Sequence, residues 1–430
     1  MSSKQSKISR RTFTRGAIGL GLAPLIIPSS AFSKPSSKQI NVGVIGVGGR
    51  GSSHIADGLR NSKNVRILAV CDVNRPNCDK AKATVDKIND DNACLIFEDF
   101  RELLAHKDID AITVAVPDQW HALITIAAAQ AGKHIYSEKP LAYSVVEGRA
   151  MVDAVKTAGV VFQHGTQQRS TPNFWQACML VRNGRIGKLE TIRVGSPYGL
   201  QGGDPNPAPV PAGLNYDFWL GPAPEKPYTP GRCTGQGGKG WYQLRDYSGG
   251  WITAWGSHDL DIAQWGNGTD DTGPVKVTGH AEYPTAGVYD TAWKWHFDCT
   301  YANGTKLIYA SEDENPHGVR FEGSDGWIFV KRGVLEAHKK SLLEETFDDS
   351  KIQLVKSLNH MGNFVDAIIT GKATAAPIEV AHRSTTIAHL CNIAAQTGRT
   401  LQWKPAEEGF VNDDGANALL SRDMRAPWEI

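Results

Sequence analysis

A glycine-rich segment is the first candidate for chemistry: Gly46 to Gly51 reads Gly-Val-Gly-Gly-Arg-Gly directly after an apolar run. Between a strand and a helix, Gly-x-Gly-x-x-Gly spacing binds a dinucleotide: Gly46 permits the tight turn, Gly48 lets backbone approach the pyrophosphate, and Gly51 allows close helix packing. The helix N-terminus offers free N–H groups to the phosphates. There is no Gly-Lys-Ser/Thr ending, which excludes a P-loop. The predicted dinucleotide-binding residues here are Gly46, Gly48, Gly49, Arg50 and Gly51.

Asp72 is the acid expected to bind the ribose of the adenosine half. It ends a second apolar run, 21 residues after Gly51, where such motifs place a carboxylate that accepts hydrogen bonds from the ribose hydroxyls. Its charge would repel a 2′-phosphate, which favours NAD, while the nearby Arg75 leaves NADP as an alternative. A helix cap ahead of Pro76 is the other interpretation of Asp72, and both roles are compatible.

Two further segments follow predicted strands and are expected to reach the reactive end of the cofactor. One contains Pro117 and His121, and the other reads Glu138-Lys139-Pro140. In open α/β sheets the reactive end of a ligand lies beyond the carboxyl ends of the strands. A lysine beside a positively charged nicotinamide has a depressed pKa, which suits proton transfer or hydrogen bonding with a substrate hydroxyl. Pro140 keeps Lys139 out of helical geometry.

A predicted helix from about Ile252 to Trp265 carries the second catalytic candidate, His258. His258 and Asp261 share a helix face, and we interpret them as a catalytic and a substrate-binding residue; a solvated or capping pair is the alternative. Trp255 belongs to a group of tryptophans that suits stacking against a sugar ring, although such residues are more often core.

Other candidates have less specific surroundings. Gln167 follows the fifth apolar run and is assigned to the cofactor site, with a surface loop as the alternative. Asp246 is assigned to the substrate. A structural histidine at a helix start is the alternative for His121. The sequence has no His-Glu-x-x-His motif and no Cys/His cluster, so no metal site is predicted.

These residues need a sheet to position them, and the sequence pattern of residues 40–165 predicts one. Short apolar runs alternate with helical stretches such as Val145–Ala158, which predicts a doubly wound parallel sheet, the Rossmann dinucleotide-binding domain. The pattern of residues 166–350 predicts an α+β domain with a large open antiparallel sheet, for substrate binding and oligomerisation. Its segment 196–240 is rich in proline and glycine, which favours a functional loop, lid or intersubunit arm. Residues 351–430 are predicted to form a C-terminal helical extension.

The predicted strands have the following bounds. In the first domain they are Asn41–Gly46, Val65–Cys71, Ala111–Val116, His134–Ser137 and Val160–His164. In the second they are Lys188–Val194, Lys276–Tyr283, Ala292–Tyr301, Thr305–Ser311, Val319–Glu322 and Trp327–Val330.

The first 33 residues have the character of an export signal. Arg10 and Arg11 precede a short apolar run, Gly16–Ile27, that ends in Pro28 and small residues. This run is too short to span a hydrocarbon core of roughly 30 Å, so no stable membrane anchor is expected and a signal peptide is favoured. The paired arginines favour the twin-arginine export machinery and a periplasmic or otherwise exported protein; an ordinary basic leader is the alternative.

Charge and composition limit the classes of partner. The 430-residue chain is 41% apolar with a net charge of +1, and its length suits two domains. Five of its 46 basic residues and none of its acids lie in the leader, which leaves 41 bases against 45 acids, a net charge of −4. A mildly acidic body with a basic leader is a targeting pattern, so no nucleic acid is expected as a partner.

The glycine motif, Glu138-Lys139-Pro140 and the Gly-x-His-x-x-Asp segment Gly256–Asp261 together resemble the Gfo/Idh/MocA family of glucose–fructose oxidoreductases and inositol dehydrogenases. The resemblance covers nearly all of the chain after the leader. Two later segments, Arg245–Gly250 and His360–Ala367, resemble the exported twin-arginine branch of the family.

The resemblance implies that Lys139 and His258 act at the hydroxyl being oxidised, and that the chain forms a homo-oligomer. One departure concerns an acid that the family usually has four residues before the histidine, where this chain has Ala254. Asp259 or Asp246 could replace that acid in space.

The function implied is that of an NAD(P)-dependent oxidoreductase acting on the CH–OH group of a sugar, polyol or sugar derivative. Because free nicotinamide cofactor is a cytoplasmic resource, an enzyme exported in the folded state is expected to keep its cofactor tightly bound and to regenerate it in the site. Coupled oxidation and reduction of two sugars would do this. The alternative, favoured by Ala254, is a glycosidase or epimerase that oxidises a sugar carbon transiently. A non-catalytic sugar-binding protein is the third interpretation.

Overall fold

The computed structural model describes residues 39–62, 64–348 and 350–430. The predicted export signal, residues 1–33, lies outside these ranges. None of the helices described within them is long and apolar enough to cross a membrane.

The first domain is a six-stranded parallel sheet with strand order β3-β2-β1-β4-β5-β6. Its strands are β1 (Ile40–Ile45), β2 (Val65–Cys71), β3 (Leu95–Phe97), β4 (Ala111–Val114), β5 (His134–Ser137) and β6 (Phe162–His164). The helices between them are α1 (Arg50–Ser53, continued by a π-helical turn over His54–Leu59), α2 (Arg75–Asn89), α3 (Phe100–Ala105), α4 (His121–Gln130) and α5 (Val145–Ala158). Every residue of β4 is buried, as expected for a parallel sheet covered on both faces.

The strand order of this sheet creates the crevice that the site needs. β1 pairs with β2 on one side and with β4 on the other, so the order reverses at β1 and a crevice opens beyond the carboxyl ends of the strands. The five strands predicted in this domain are present, within about two residues at each end. β3 escaped prediction because it has three residues, none of them fully buried.

The second domain contains a nine-stranded sheet with order β13-β12-β11-β7-β10-β9-β8-β14-β15. Its strands are β7 (Leu189–Ser196), β8 (Lys276–Glu282), β9 (Lys294–Thr300), β10 (Lys306–Ser311), β11 (Gly318–Gly323), β12 (Gly326–Lys331), β13 (Val334–Ala337), β14 (Leu401–Lys404) and β15 (Gly409–Phe410). The helices that follow the first domain along the chain are α6 (Pro172–Arg182), α7 (Tyr216–Leu220), α8 (Trp251–Ala254), α9 (Gly256–Asn267), α10 (His360–Thr370), α11 (Ile378–Thr397) and α12 (Asp414–Ala418). The sheet is antiparallel apart from one parallel pair, β7 with β10.

Helix α9 lies against this sheet and carries His258 to the crevice. Two glycines allow the close approach: a Cβ on Gly256 would lie 3.0 Å from the hydroxyl of Tyr309, and one on Gly266 would lie 2.4 Å from the ring of Phe321. The Tyr309 hydroxyl donates a hydrogen bond of 3.1 Å to the carbonyl of Ile252. The apolar face of the sheet therefore sets the position of His258.

Residues 351–430 differ from the helical extension expected for them. Helices α10 and α11 agree with that expectation, but β14 joins the large sheet by pairing with β8. Phe364 of α10 packs among core residues of the first domain, and Ile387 of α11 packs among those of the second. These residues complete both domains, and short strands such as β14 have too few residues for a recognisable pattern.

Candidate active site

One cleft of about 1020 Å³ contains most of the predicted site residues. It begins at the ends of β1 and β2 and extends along the ends of β4 and β5 to α9. Part of the segment 196–240, including Phe218 and Trp219, forms one of its walls. Within the described residues there is no cluster of three or more His, Cys, Asp or Glu side chains that could hold a metal ion.

The glycine loop has the shape that a pyrophosphate requires. Gly46 has φ +80° and its Cβ would lie 2.4 Å from the carbonyl oxygen of Ala115, while a Cβ on Gly51 would lie 1.8 Å from the carbonyl oxygen of Gly46. By contrast, a Cβ on Gly49 would meet nothing within 4 Å. Gly46 and Gly51 are therefore needed by the turn itself, whereas Gly48 and Gly49 line the open cleft and leave room for a ligand.

Asp72 lines the cleft and also holds the glycine loop. Its Oδ2 accepts a 2.9 Å hydrogen bond from the backbone N–H of Val47, and its Oδ1 accepts one of 2.9 Å from Asn74. Burial raises the pKa of Asp72, and these hydrogen bonds oppose that rise. Arg75 forms an ion pair with Asp79 at 2.8 Å and does not line the cleft.

Glu138 organises the centre of the cleft. Its Oε1 lies 2.8 Å from Nε of Arg50, 2.9 Å from Nε2 of His54 and 3.0 Å from the side-chain amide of Gln167. Although burial favours the neutral acid, the pKa of Glu138 is well below its usual range because His54 and Arg50 stabilise the carboxylate. Glu138 thus holds Arg50 and Gln167, two predicted cofactor-binding residues, at one point of the cleft.

Lys139 lies in the same cleft with its ammonium group available. Among the described residues no hydrogen bond or ion pair to its Nζ is formed; Nζ lies 5.4 Å from the ring centre of Tyr242. Burial lowers the pKa of Lys139, while the charges of Glu138 and Asp118 oppose that decrease. The amine is therefore easier to deprotonate than an exposed lysine.

His258 lines the cleft at the same end as Lys139. Its Nδ1 is buried and has no hydrogen-bond partner among the described residues. Burial, followed by the charges of Lys139 and Arg332, lowers the pKa of His258 well below its ordinary value. The imidazole is therefore neutral at pH 7 and can accept or donate one hydrogen bond.

An aromatic wall flanks these two side chains. Ring centres are 3.6 Å apart between Trp241 and Tyr242, 5.5 Å between Tyr242 and Trp251, and 6.3 Å between Trp251 and Trp255. All four rings line the cleft, so Trp255, predicted at the substrate site, belongs to a surface suited to the apolar face of a sugar ring. Pro117 also lines the cleft.

Besides Gly51, which packs within the turn, three predicted site residues do not line the cleft. His121 is buried, with its ring nitrogens 2.6 Å from the carbonyl oxygen of Pro140 and 3.0 Å from that of Val116, which corrects its assignment to the cofactor. Asp261 is buried against Arg169, with an ion-pair distance of 2.7 Å. Asp246 lies 3.7 Å from Arg232. Both aspartates face arginines of the protein instead of the cleft, which corrects the substrate-binding role predicted for them.

Four residues before His258, where the family usually has an acid, this chain has an alanine. Ala254 is buried, and Asp259, suggested as a replacement, is also buried and does not line the cleft. Its carboxylate accepts hydrogen bonds from Ser196 at 3.2 Å and from Gln168 at 3.4 Å. Neither Asp259 nor Asp246 supplies a carboxylate at the position expected for the substrate.

Sequence reasoning missed three residues at this end of the structure. Tyr242 and Arg332 line the cleft, and Asp118 is buried with both carboxylate oxygens lacking a hydrogen-bond partner in the described part of the chain. Burial raises the pKa of Asp118 to about 7. Asp118 directly follows the predicted Pro117, which was a usable signal. Arg332 is a single arginine in a hairpin, and the sequence contains no comparable signal for it.

Comparison with known proteins places the chain in a family. The Gfo/Idh/MocA model described as "Oxidoreductase family, NAD-binding Rossmann fold" matches residues 40–166. The companion model, "Oxidoreductase family, C-terminal alpha/beta domain", matches residues 200–430. The chain therefore belongs to the Gfo/Idh/MocA oxidoreductase family, and its first domain is an NAD-binding Rossmann domain.

Individual relatives cover the chain only in part. Myo-inositol 2-dehydrogenase of Thermotoga maritima is 30% identical over 40% of this chain and 47% of its own length. A glycosyl hydrolase family 109 protein of Shewanella sp. strain W3-18-1 is 32% identical over 37% of this chain and 31% of its own length. The chain thus matches less than half the length of these relatives. The structure of an aldose-aldose oxidoreductase from Caulobacter crescentus aligns with TM-score 0.61 and 18% identity over 85% of this chain and 99% of that one, which supports the fold.

The residues present fit NAD. Open space beside Gly48 and Gly49 suits the pyrophosphate, and Asp72 lies where the adenosine ribose would bind. Glu138 and Lys139 lie where the nicotinamide half would end. When bound, NAD supplies a hydride acceptor for the oxidation of an alcohol.

Proposed function

We propose that this protein is an exported, NAD-dependent oxidoreductase that oxidises a CH–OH group of a sugar, polyol or sugar derivative. The observation that carries the proposal is the pairing of Lys139 and His258 at one end of the cleft. His258 is buried and Lys139 is half-buried beside the aromatic wall, and neither Nδ1 of His258 nor Nζ of Lys139 has a hydrogen-bond partner among the described residues. Polar groups left in this state are costly, which favours a role in binding or catalysis.

In this proposal the two side chains act on one substrate hydroxyl. The lowered pKa of Lys139 lets a neutral Nζ accept the hydroxyl proton, and the neutral imidazole of His258 orients the hydroxyl oxygen by a hydrogen bond. The aromatic wall excludes water from one side. Because the neutral amine is the active form, turnover is expected to rise with pH until Lys139 is deprotonated.

Export is a separate part of the proposal and rests on the leader. Arg10 and Arg11 ahead of a short apolar run support passage through the twin-arginine machinery, in the folded state and with the cofactor bound. The cofactor is then regenerated in the site by a second sugar. We also propose that the protein acts as a homo-oligomer, as the family resemblance implies.

A redox-neutral reaction is the second candidate. One relative is named a glycosyl hydrolase, and Ala254 stands where the family usually has an acid. Transient oxidation of a sugar carbon followed by re-reduction of the same molecule would give glycoside cleavage or epimerisation without net oxidation. Release of a free sugar from a glycoside, with no lasting change in nicotinamide absorbance, would distinguish this reaction from coupled oxidation.

Two measurements test the proposal. Mass spectrometry of protein purified from its native compartment is expected to detect NAD that survives dialysis. A panel of sugars and polyols is then expected to change the reduced-nicotinamide absorbance. Rapid loss of cofactor on dialysis would contradict tight binding, and silence across the panel together with the absence of glycoside cleavage would favour a non-catalytic sugar-binding protein.

The variant Lys139→Ala tests the catalytic assignment. We expect turnover to fall by about 10²–10⁴-fold, with the amount of bound NAD unchanged. Lys107→Ala, which alters an exposed lysine outside the cleft, is the matched control and is expected to keep full activity. Full activity in Lys139→Ala would remove this lysine from the mechanism.

A further inference from the structure

The hairpin between β12 and β13 presents a guanidinium group to the substrate end of the cleft. Lys331 pairs with Val334, so Arg332 and Gly333 form a two-residue turn. Gly333 has φ +75°, the left-handed region that such turns require and glycine favours. Arg332 lines the cleft together with His258. The turn therefore places a permanent positive charge beside the proposed reacting hydroxyl.

Contacts on both sides hold this turn in place. The side-chain amide of Asn173, near the start of α6, donates to the carbonyl oxygens of Lys331 at 2.6 Å and Val334 at 3.0 Å. The guanidinium carbon of Arg332 lies 5.1 Å from the ring centre of Trp255, a distance typical of a cation–π contact. Arg332 is thus positioned by the protein before any ligand binds.

Arg332 has no acidic partner in the described part of the chain. Asp259 is the carboxylate whose charge acts most strongly on it, but the two form no ion pair. In contrast, two other guanidinium groups have acidic partners: Arg50 pairs with Glu138 at 2.8 Å, and Arg169 pairs with Asp261 at 2.7 Å. The five N–H donors of Arg332 remain available to a ligand.

Among the described residues that line the substrate end of the cleft, none is a carboxylate without a partner, since Asp118 is buried and does not belong to the lining. Glu138 accepts hydrogen bonds from Arg50 and His54, and the usual family acid is replaced by Ala254. At the end of the cleft near neutral His258, Arg332 is therefore a positive charge that no carboxylate among the described residues pairs with, whereas the charges of Glu138 and Asp118 act on Lys139.

From this geometry we propose that the substrate is a sugar bearing a carboxylate, such as a uronic or aldonic acid, and that Arg332 binds the carboxylate through two parallel N–H···O bonds. The inference rests on the proposed function, because it names the substrate class of the same site. Arg332 then selects acidic sugars over neutral ones, while Lys139 and His258 act on a hydroxyl of the same molecule.

The test compares sugars that differ only in the charged group. NAD-loaded protein is assayed with D-glucuronate against D-glucose and with D-galacturonate against D-galactose. The wild type is expected to have a KM about 10–100-fold lower for at least one acid than for its neutral partner, the range for a charge-assisted hydrogen bond. Arg332→Gln is expected to remove that preference by raising KM for the acid, with little change in kcat.

Two further variants separate charge from geometry and from folding. Arg332→Lys keeps the charge but loses the planar fork, so its preference is expected to be intermediate. Lys331→Gln removes the neighbouring charge of the same hairpin, which lies outside the cleft, and is expected to behave as the wild type does. A wild type that prefers the neutral sugars, or Arg332→Gln raising KM equally for both members of a pair, would overturn the inference.

A binding measurement keeps this inference distinct from the proposed function. If no sugar changes the nicotinamide absorbance, the oxidoreductase proposal fails, and calorimetric titration of the same acids then decides the role of Arg332. Tighter binding of an acid to the wild type than to Arg332→Gln supports acid recognition without turnover. Failure of all these acids to bind the wild type overturns it.

Discussion

The two ends of the cleft differ in how their polar groups are satisfied. At the dinucleotide end, Asp72 accepts hydrogen bonds from the backbone of the glycine loop, and Glu138 accepts three from neighbouring side chains. At the substrate end, Nδ1 of His258 and both carboxylate oxygens of Asp118 have no partner among the described residues, and the same is true of Nζ of Lys139.

The dinucleotide end is thus a preformed binding surface, whereas the polar groups at the substrate end remain available for a reaction. A buried polar group without a partner costs about 1–3 kcal/mol, so the substrate end lowers the stability of the empty protein. The cofactor end incurs less of this cost because its side chains bind one another. Substitutions at the substrate end are therefore expected to affect turnover, whereas those at the glycine loop affect cofactor binding and folding.

The largest effect is expected from His258→Asn. Loss of the imidazole should reduce turnover by about 10²–10⁴-fold while the content of bound NAD stays at the wild-type level, as measured by absorbance and mass spectrometry. His280→Asn, on the exposed part of β8, is the matched control. A parallel loss of NAD in His258→Asn would show that the two ends of the cleft are not separable in this way.

Two glycine substitutions are expected to have the next largest effect. The Cβ of Gly51→Ala would lie 1.8 Å from the carbonyl oxygen of Gly46, so the loop must move, with an expected cost of about 1–3 kcal/mol in unfolding free energy and loss of bound NAD. Gly49→Ala meets nothing within 4 Å and should keep its stability while binding NAD more weakly. Denaturant unfolding and cofactor content measure both. Wild-type NAD content in both variants would contradict a pyrophosphate site here.

The smallest effect is expected from Asp118→Asn and concerns pH. Burial raises the pKa of Asp118 to about 7, above the value of about 3.9 in an unfolded chain. The folded protein then binds more protons than the unfolded chain between these values, so the stability of the wild type falls as pH rises from about 4 to about 7. Asp118→Asn should lack that fall, which we expect to be about 1–3 kcal/mol.

The control for this pH dependence is Asp153→Asn, which changes an exposed carboxyl group on α5. Unfolding free energies at several pH values, measured without substrate, compare the two variants with the wild type. If all three proteins show the same slope, Asp118 does not stay uncharged in the folded protein between about pH 4 and pH 7.

The fold could be predicted where the pattern along the chain is local. Strands β1 and β2 are apolar runs bounded by turns, and their bounds match the predicted ones closely. The parallel pairing of β7 with β10 and the addition of β14 to the large sheet depend on contacts between distant segments, for which a single sequence contains no periodic signal.

The site residues, too, could be predicted from the sequence only where their position depends on local pattern. The glycine motif and Lys139 follow strands directly, so their place at the end of the sheet follows from the topology. Asp261 was misassigned because its partner Arg169 lies 92 residues away, and helix periodicity predicts a shared face but not what that face meets. Arg332 reaches the cleft only because a hairpin of the second domain lies beside Trp255.

The structure of the protein determined with NAD bound tests the central claim most directly. We expect the pyrophosphate at Gly48 and Gly49, and the nicotinamide ring within about 4 Å of Lys139 and His258. A dinucleotide bound elsewhere, or in the cleft with its adenine at Lys139, would contradict the account.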